Sequence, residues 1–166
     1  VHRLLRVIAE EGPAQWDAER VAARRDALAA ELRALGVAES EVPSGVERVV
    51  AAVTNALEEP TGRWILDPGH RDARCEYAVS GVVDGQVING VIDRTFIDAE
   101  GTRWIIDYKT GYPEGDDPEA FLDDQQGKHG EQLAGYAALF RGLEERPVWL
   151  GLYYPASGQW RGREAV

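Results

Sequence analysis

The chain has one cysteine, Cys75, among its 166 residues, and no methionine. A single thiol excludes an internal disulfide and any metal site or iron–sulfur cluster built on several cysteines. Cys75 is left as a small, half-buried apolar residue, and a reducing, cytoplasmic compartment is expected. No apolar stretch approaches the roughly 20 residues that a membrane-spanning helix needs, and the first residues do not form a signal peptide. Positive charge is also scarce: 18 Lys and Arg stand against 29 Asp and Glu, a net charge of −11. That balance argues against a broad basic face for gripping nucleic acid, though not against a site that uses acids locally. The composition that remains, 44% hydrophobic and 28% charged, is that of a globular chain long enough for one domain with a real core.

The period of the apolar residues changes near the middle of the chain. Val1, Leu4, Leu5 and Ile8 fall at i, i+3, i+4 and i+7 and predict a helix over residues 1–10. Further helices are predicted over 14–35, closed by Gly36, and over 44–58, closed by Pro60. From there the pattern becomes that of strands. Trp64-Ile65-Leu66 is a short strand candidate, followed by Cys75–Val83, an Asp84-Gly85 hairpin turn, Gln86–Asp98, a turn at Ala99-Glu100-Gly101, and Thr102–Lys109. Gly90, inside the second long strand, marks a bend or a close backbone approach. After a loop at 111–118, helix is predicted over 118–126, weakening at Gly127 and Gly130, and again over 131–144; a core strand at Val148–Tyr154 and a short edge strand at Gln159–Arg161 follow. The order is helices, an antiparallel meander, a helix and a further strand: an α/β chain with residues 1–60 as a helical part and 61–166 as the core of one domain. The missing initiator Met leads us to expect that the chain is a piece of a larger polypeptide.

Chemistry concentrates in two of the strands. Gly90-Val91-Ile92-Asp93-Arg94 ends an apolar run on an acid, and Trp104-Ile105-Ile106-Asp107-Tyr108-Lys109-Thr110 sets an acid and a lysine two apart. Residues i and i+2 of a strand share a face, so Asp107 and Lys109 point the same way, beside Asp93 if the two runs pair. Two carboxylates with an ammonium on one sheet face suit a hard divalent cation and metal-dependent phosphodiester hydrolysis. Lys109 is placed to position or deprotonate water and to stabilise charge developing on a phosphate. Gln132 and Tyr136, four apart, share a helix face.

These motifs resemble the PD-(D/E)xK nuclease superfamily, and within it the RecB-like branch. The resemblance rests on Val1-His2-Arg3-Leu4-Leu5, Gly90 to Asp93, Asp107-Tyr108-Lys109, and Gln132 to Tyr136, in that order over nearly the whole chain. It implies a restriction-endonuclease-like core, a mixed sheet flanked by helices in which the last core strand lies beside the third strand of the meander. It implies Mg²⁺, for which Mn²⁺ can substitute, held by Asp93, Asp107, the backbone carbonyl of Tyr108 and the imidazole of His2, with Glu76 in support. It places Gln132 and Tyr136 beside the active site, contacting DNA backbone or orienting Lys109. The single cysteine sets the chain apart from relatives that carry a four-cysteine iron–sulfur cluster. The nearest likeness is to nuclease domains that follow UvrD-like helicases (the RecB and AddA type). It implies cleavage of single-stranded DNA delivered by the helicase during double-strand-break repair, with a second helicase–nuclease-like subunit as a further partner. A non-catalytic DNA-guiding module and a free-standing nuclease remain as alternatives. Among the other residues, Arg94 and Thr110 are candidates for phosphate contact and Tyr112 for base stacking. Trp104 and Trp149 are expected in the core, and His70 and His129 in exposed loops.

Overall fold

A computed structural model describes the backbone of residues 1–111 and 118–165, and the side chains of all of these except 118–129. The expectation for Tyr112 and the exposure of His129 therefore lie outside the described residues, while the backbone at His129 is helical rather than a loop. The chain divides into two compact units: Val1–Asp67 with Pro155–Gly158, and Pro68–Tyr154 with Gln159–Val166.

The first unit is helical. Helix α1 (His2–Glu11) buries Leu4, Leu5, Ile8 and Ala9 along one stripe. The predicted helix over 14–35 is in fact two. Pro13–Gln15 forms a 3-10 turn, α2 spans Ala18–Ala22, and α3 spans Arg25–Ala34. The Asp17 carboxylate accepts a hydrogen bond from the Arg20 N–H at 2.8 Å, a cap that sets the start of α2 after the 3-10 turn, whereas the break between α2 and α3, at Ala23-Arg24, carries no side-chain cap. Leu35, the last residue of that predicted helix, is 80% exposed. Helix α4 (Val42–Glu58) has Pro43 in its first turn, a position where the missing N–H costs nothing. Trp64-Ile65-Leu66 is not a strand but the last turn of α5 (Pro60–Leu66), with Ile65 and Leu66 buried. Three apolar residues cannot separate the two periods, and Pro60, read as a stop for α4, is also the first residue of the next helix.

The second unit is built on a five-stranded sheet in the order β1-β2-β3-β4-β5. Strands β1 (Arg71–Val83), β2 (Gln86–Ile97) and β3 (Arg103–Tyr108) form the antiparallel meander. Asp84 and Gly85 both have positive φ, 49° and 78°, the backbone of a tight hairpin turn. Helix α6 (Pro118–Arg141) runs through Gly127 and Gly130 without a break and ends at Arg141. It leads to β4 (Val148–Tyr154), which pairs with β3 in parallel, and β5 (Gln159–Glu164) closes the sheet antiparallel to β4. The architecture is a mixed sheet, mostly antiparallel with one parallel pair, as expected. Leu133, Tyr136, Ala137 and Phe140 of α6 pack on Ile92, Ile105, Leu150 and Leu152 in one core.

The opposite face of β3, β4 and β5 carries Trp104, Trp149 and Trp160, with Trp104 5.3 Å from Trp149 and 5.5 Å from Trp160 between ring centroids. Gly151 is the floor on which Trp160 rests: a β-carbon there would overlap Trp160 Cη2 and come within 2.8 Å of Ile106 Cδ1. Gly151→Ala is expected to destabilise the fold by about 1–3 kcal/mol through overpacking, measured by denaturant titration.

At the far end of this unit, Arg103 is only 3% exposed and holds two acids. Nη2 donates to Asp72 Oδ2 at 2.7 Å, and Nε to Glu144 Oε1 at 2.8 Å. Burial pushes the Asp72 carboxyl up, but the hydrogen bonds and charges of Arg103 and Arg74 outweigh it and leave its pKa below the ordinary aspartate value. The folded state thus binds the Asp72 proton more weakly than the unfolded chain does. Its stabilising contribution is complete above the unfolded pKa and is lost as pH falls through the lower, folded one. Melting temperature is expected to drop below roughly pH 4, and Asp72→Asn to remove part of that drop.

Candidate active site

The site acids sit where β2 changes face. Cross-strand partners share a face, and Thr95 is paired with Ile105, which packs under α6. Arg94, paired with Ile106, is therefore on the other face, where it donates to Cys75 Sγ at 3.2 Å. Ile92 is again under α6. The alternation slips between Ile92 and Arg94, at Asp93. Strand β1 slips at the same level: Cys75 pairs with Arg94 and Tyr77 with Ile92, so Glu76 lies opposite Asp93, and its φ is +47°. A left-handed residue is costly within a strand for anything but glycine, so this paired kink is a feature held by its surroundings.

One step beyond the last β2–β3 pair, Arg94 with Ile106, come Asp93 and Asp107. They are neighbours across strands about 4.8 Å apart. Asp93 is fixed by the chain of the second motif itself: the Tyr108 N–H donates to Asp93 Oδ2 at 2.7 Å. Asp107 lies in register with Leu152 of β4, on the face covered by α6. The Lys109 ammonium is 2.7 Å from Asp107 Oδ2, and the two side chains are 19% and 25% exposed. That oxygen is buried and, among the described residues, accepts no well-directed hydrogen bond; the lysine ammonium stands against it as a charge. Tyr154 lies one step beyond the β3–β4 pairs, next to Lys109. Its hydroxyl pKa is raised, first by burial and then by the Asp107 charge. The Tyr108 ring is core, edge-on to Tyr153, and burial pushes its hydroxyl far above the usual tyrosine range. What Tyr108 offers the site is its backbone.

Gln132 and Tyr136 meet as their spacing predicts: Gln132 Nε2 donates to Tyr136 Oη at 2.8 Å. Tyr136 is 3% exposed, and its ring lies against Gly90. A β-carbon on Gly90 would overlap the tyrosine hydroxyl and fall 2.7 Å from Cε1. The close approach read from Gly90 is therefore met, and the partner it meets is the last residue of the fourth motif. That contact had no signal in the sequence beyond the glycine itself.

Glu76 is exposed, and His2, half-buried, belongs to the first unit. Arg94 is 2% exposed, committed to Cys75 and set 5.7 Å from the Phe96 ring centroid, which removes it as a phosphate contact. His70 lies in a bend as expected but is not exposed: its ring stacks on Phe96 at 4.0 Å. Thr110 is exposed.

Among the described residues no group of three or more His, Cys, Asp or Glu side chains is gathered for a metal. Two adjoining carboxylates, one with a buried oxygen lacking a hydrogen bond, fit the kind of cation that takes one or two carboxylates and completes its shell with water and phosphate oxygens. The model of the PD-(D/E)XK nuclease superfamily matches residues 1–159. The chain belongs to that superfamily. Its members are nucleases that typically use divalent metals. No curated protein matches the chain.

Proposed function

We propose that this PD-(D/E)XK domain is a Mg²⁺-dependent deoxyribonuclease of the RecB-like kind, hydrolysing single-stranded DNA handed to it by a UvrD-like helicase motor during double-strand-break repair. The observation that carries the reading is the cluster of Asp93, Asp107 and Lys109 at a kinked sheet position, with the Gly90, Gln132 and Tyr136 of the accompanying motifs beside it. Asp93, Asp107 and the Tyr108 carbonyl would hold the cation, with His2 and Glu76 as further candidates. When bound, it would supply positive charge at the phosphate and lower the pKa of water at the site.

The protein's own groups do the rest. Lys109 holds a positive charge beside the acids, placed to orient the attacking water and to meet charge developing on the phosphate. Asp93, tied to the Tyr108 N–H, keeps the two acids in register. A net charge of −11 leaves little electrostatic grip on DNA, which supports delivery by a partner and predicts weak, salt-sensitive binding by the isolated domain.

Incubation with labelled single-stranded and duplex DNA in Mg²⁺ or Mn²⁺ tests this, with EDTA and Asp107→Ala as controls. Cleavage of the single strand that disappears in both controls is expected. Cleavage that survives EDTA would overturn the metal dependence, and equal cutting of duplex would overturn the strand preference.

A further inference from the structure

We propose that Tyr136, held by Gln132 and seated on Gly90, is a positioning residue that locks the kink of β2 and thereby sets Asp93, rather than a contact to the nucleic acid. This rests on the reading of Asp93 as a site acid.

Three observations carry it. Tyr136 is buried, so no strand of DNA reaches its ring while α6 is in place. Its hydroxyl occupies the space a side chain at residue 90 would fill, three residues before Asp93, the residue at which β2 changes face. Gln132, exposed on the same side of α6, donates to that hydroxyl and so fixes the ring from above. A kink that breaks the period-two alternation needs an external constraint, because an unconstrained strand relaxes to regular pairing. Here the constraint is a rigid ring lying on a position without a side chain. The glycine and the tyrosine are thus two halves of one contact, although they lie 46 residues apart.

The experiment reads the Asp93 carboxylate through its own hydrogen bond. Amide exchange at Tyr108, whose N–H donates to Asp93, is compared with exchange at Lys109, whose N–H donates to the Tyr153 carbonyl at 2.8 Å. In Tyr136→Phe and Gln132→Leu, Tyr108 is expected to exchange about tenfold faster, the worth of one hydrogen bond, with Lys109 unchanged. Steady-state cleavage by the same variants is expected to show a lower kcat and an unchanged KM for DNA. A raised KM with Tyr108 exchange unchanged would overturn the proposal in favour of a DNA contact. Faster exchange across the whole sheet with a lower melting temperature would overturn it in favour of general packing. Gly90→Ala, which forces the tyrosine off its seat, should reproduce the Tyr108 effect more strongly wherever it folds. Exchange is measured without catalysis, so a chain that cuts no DNA would sink the proposed function and still leave the latch decided.

Discussion

Replacing Lys109 with methionine is expected to cut DNA cleavage by roughly 10²–10³-fold while leaving divalent-cation binding intact or tighter. The two effects separate because of where the ammonium sits. At 2.7 Å from a buried carboxylate oxygen that accepts no directed hydrogen bond, Lys109 is the charge that makes Asp107 tolerable in its partly buried place. A divalent cation brought to the same acids competes with that ammonium. Removing the lysine therefore leaves two neighbouring carboxylates short of positive charge, which favours the cation. The reaction, by contrast, loses the one fixed cation of the motif placed to orient water and to meet charge developing on the phosphate. Methionine keeps the length and the apolar stem while deleting the charge. Single-turnover cleavage and Mn²⁺ titration by electron paramagnetic resonance, made on the same preparation, give both quantities. If cation affinity fell in step with cleavage, Lys109 would be holding the site together rather than acting in it. Asp107→Asn should differ from Lys109→Met by losing the cation as well.

How much of this was legible beforehand depended on whether the signal was local. The i, i+2 relation of Asp107 and Lys109, the i, i+4 relation of Gln132 and Tyr136, and the Asp84-Gly85 turn are properties of short stretches, and each appears where its spacing places it. The parallel pairing of β3 with β4 came from the family resemblance, because periodicity says which residues form strands and not which strands are neighbours. Face assignment across a kink was not readable. A strict period of two sets Arg94 on the face opposite Asp93, and that much is right. It also sets Ile92 opposite Asp93, whereas Ile92 packs under α6. The slip depends on the left-handed Glu76 and on Tyr136, neither of which is near Asp93 in sequence. Trp64-Ile65-Leu66 failed for a simpler reason: a buried helical turn and a buried strand of three residues look alike, and the proline before them serves two helices at once.

Arg103→Ala is expected to destabilise the second unit by about 3 kcal/mol. Losing one partner of a buried ion pair leaves the other charge uncompensated, at a cost of about 3–5 kcal/mol. Here both acids keep a second arginine, Asp72 with Arg74 at 2.9 Å and Glu144 with Arg146 at 2.9 Å, and the Asp72 side chain is 40% exposed to water; together these hold the cost near the lower end. The guanidinium also lies 4.8 Å from the Phe140 ring centroid, and its stem fills the space between the start of β1, the start of β3 and the end of α6. Arg103→Lys keeps the charge but loses the planar fork that serves both acids at once, so it should recover only part of the loss. Arg103→Met combined with Asp72→Asn and Glu144→Gln removes all three charges together, and its stability should return toward that of the parent chain, because no buried charge is then left alone. For a chain of this length each kcal/mol moves the melting temperature by about 2–4 °C, so Arg103→Ala should melt roughly 6–12 °C lower. A shift of only a degree or two would mean that the α6 packing holds this end of the sheet without the arginine. A triple variant no more stable than Arg103→Ala would mean that the arginine's contribution is packing rather than charge.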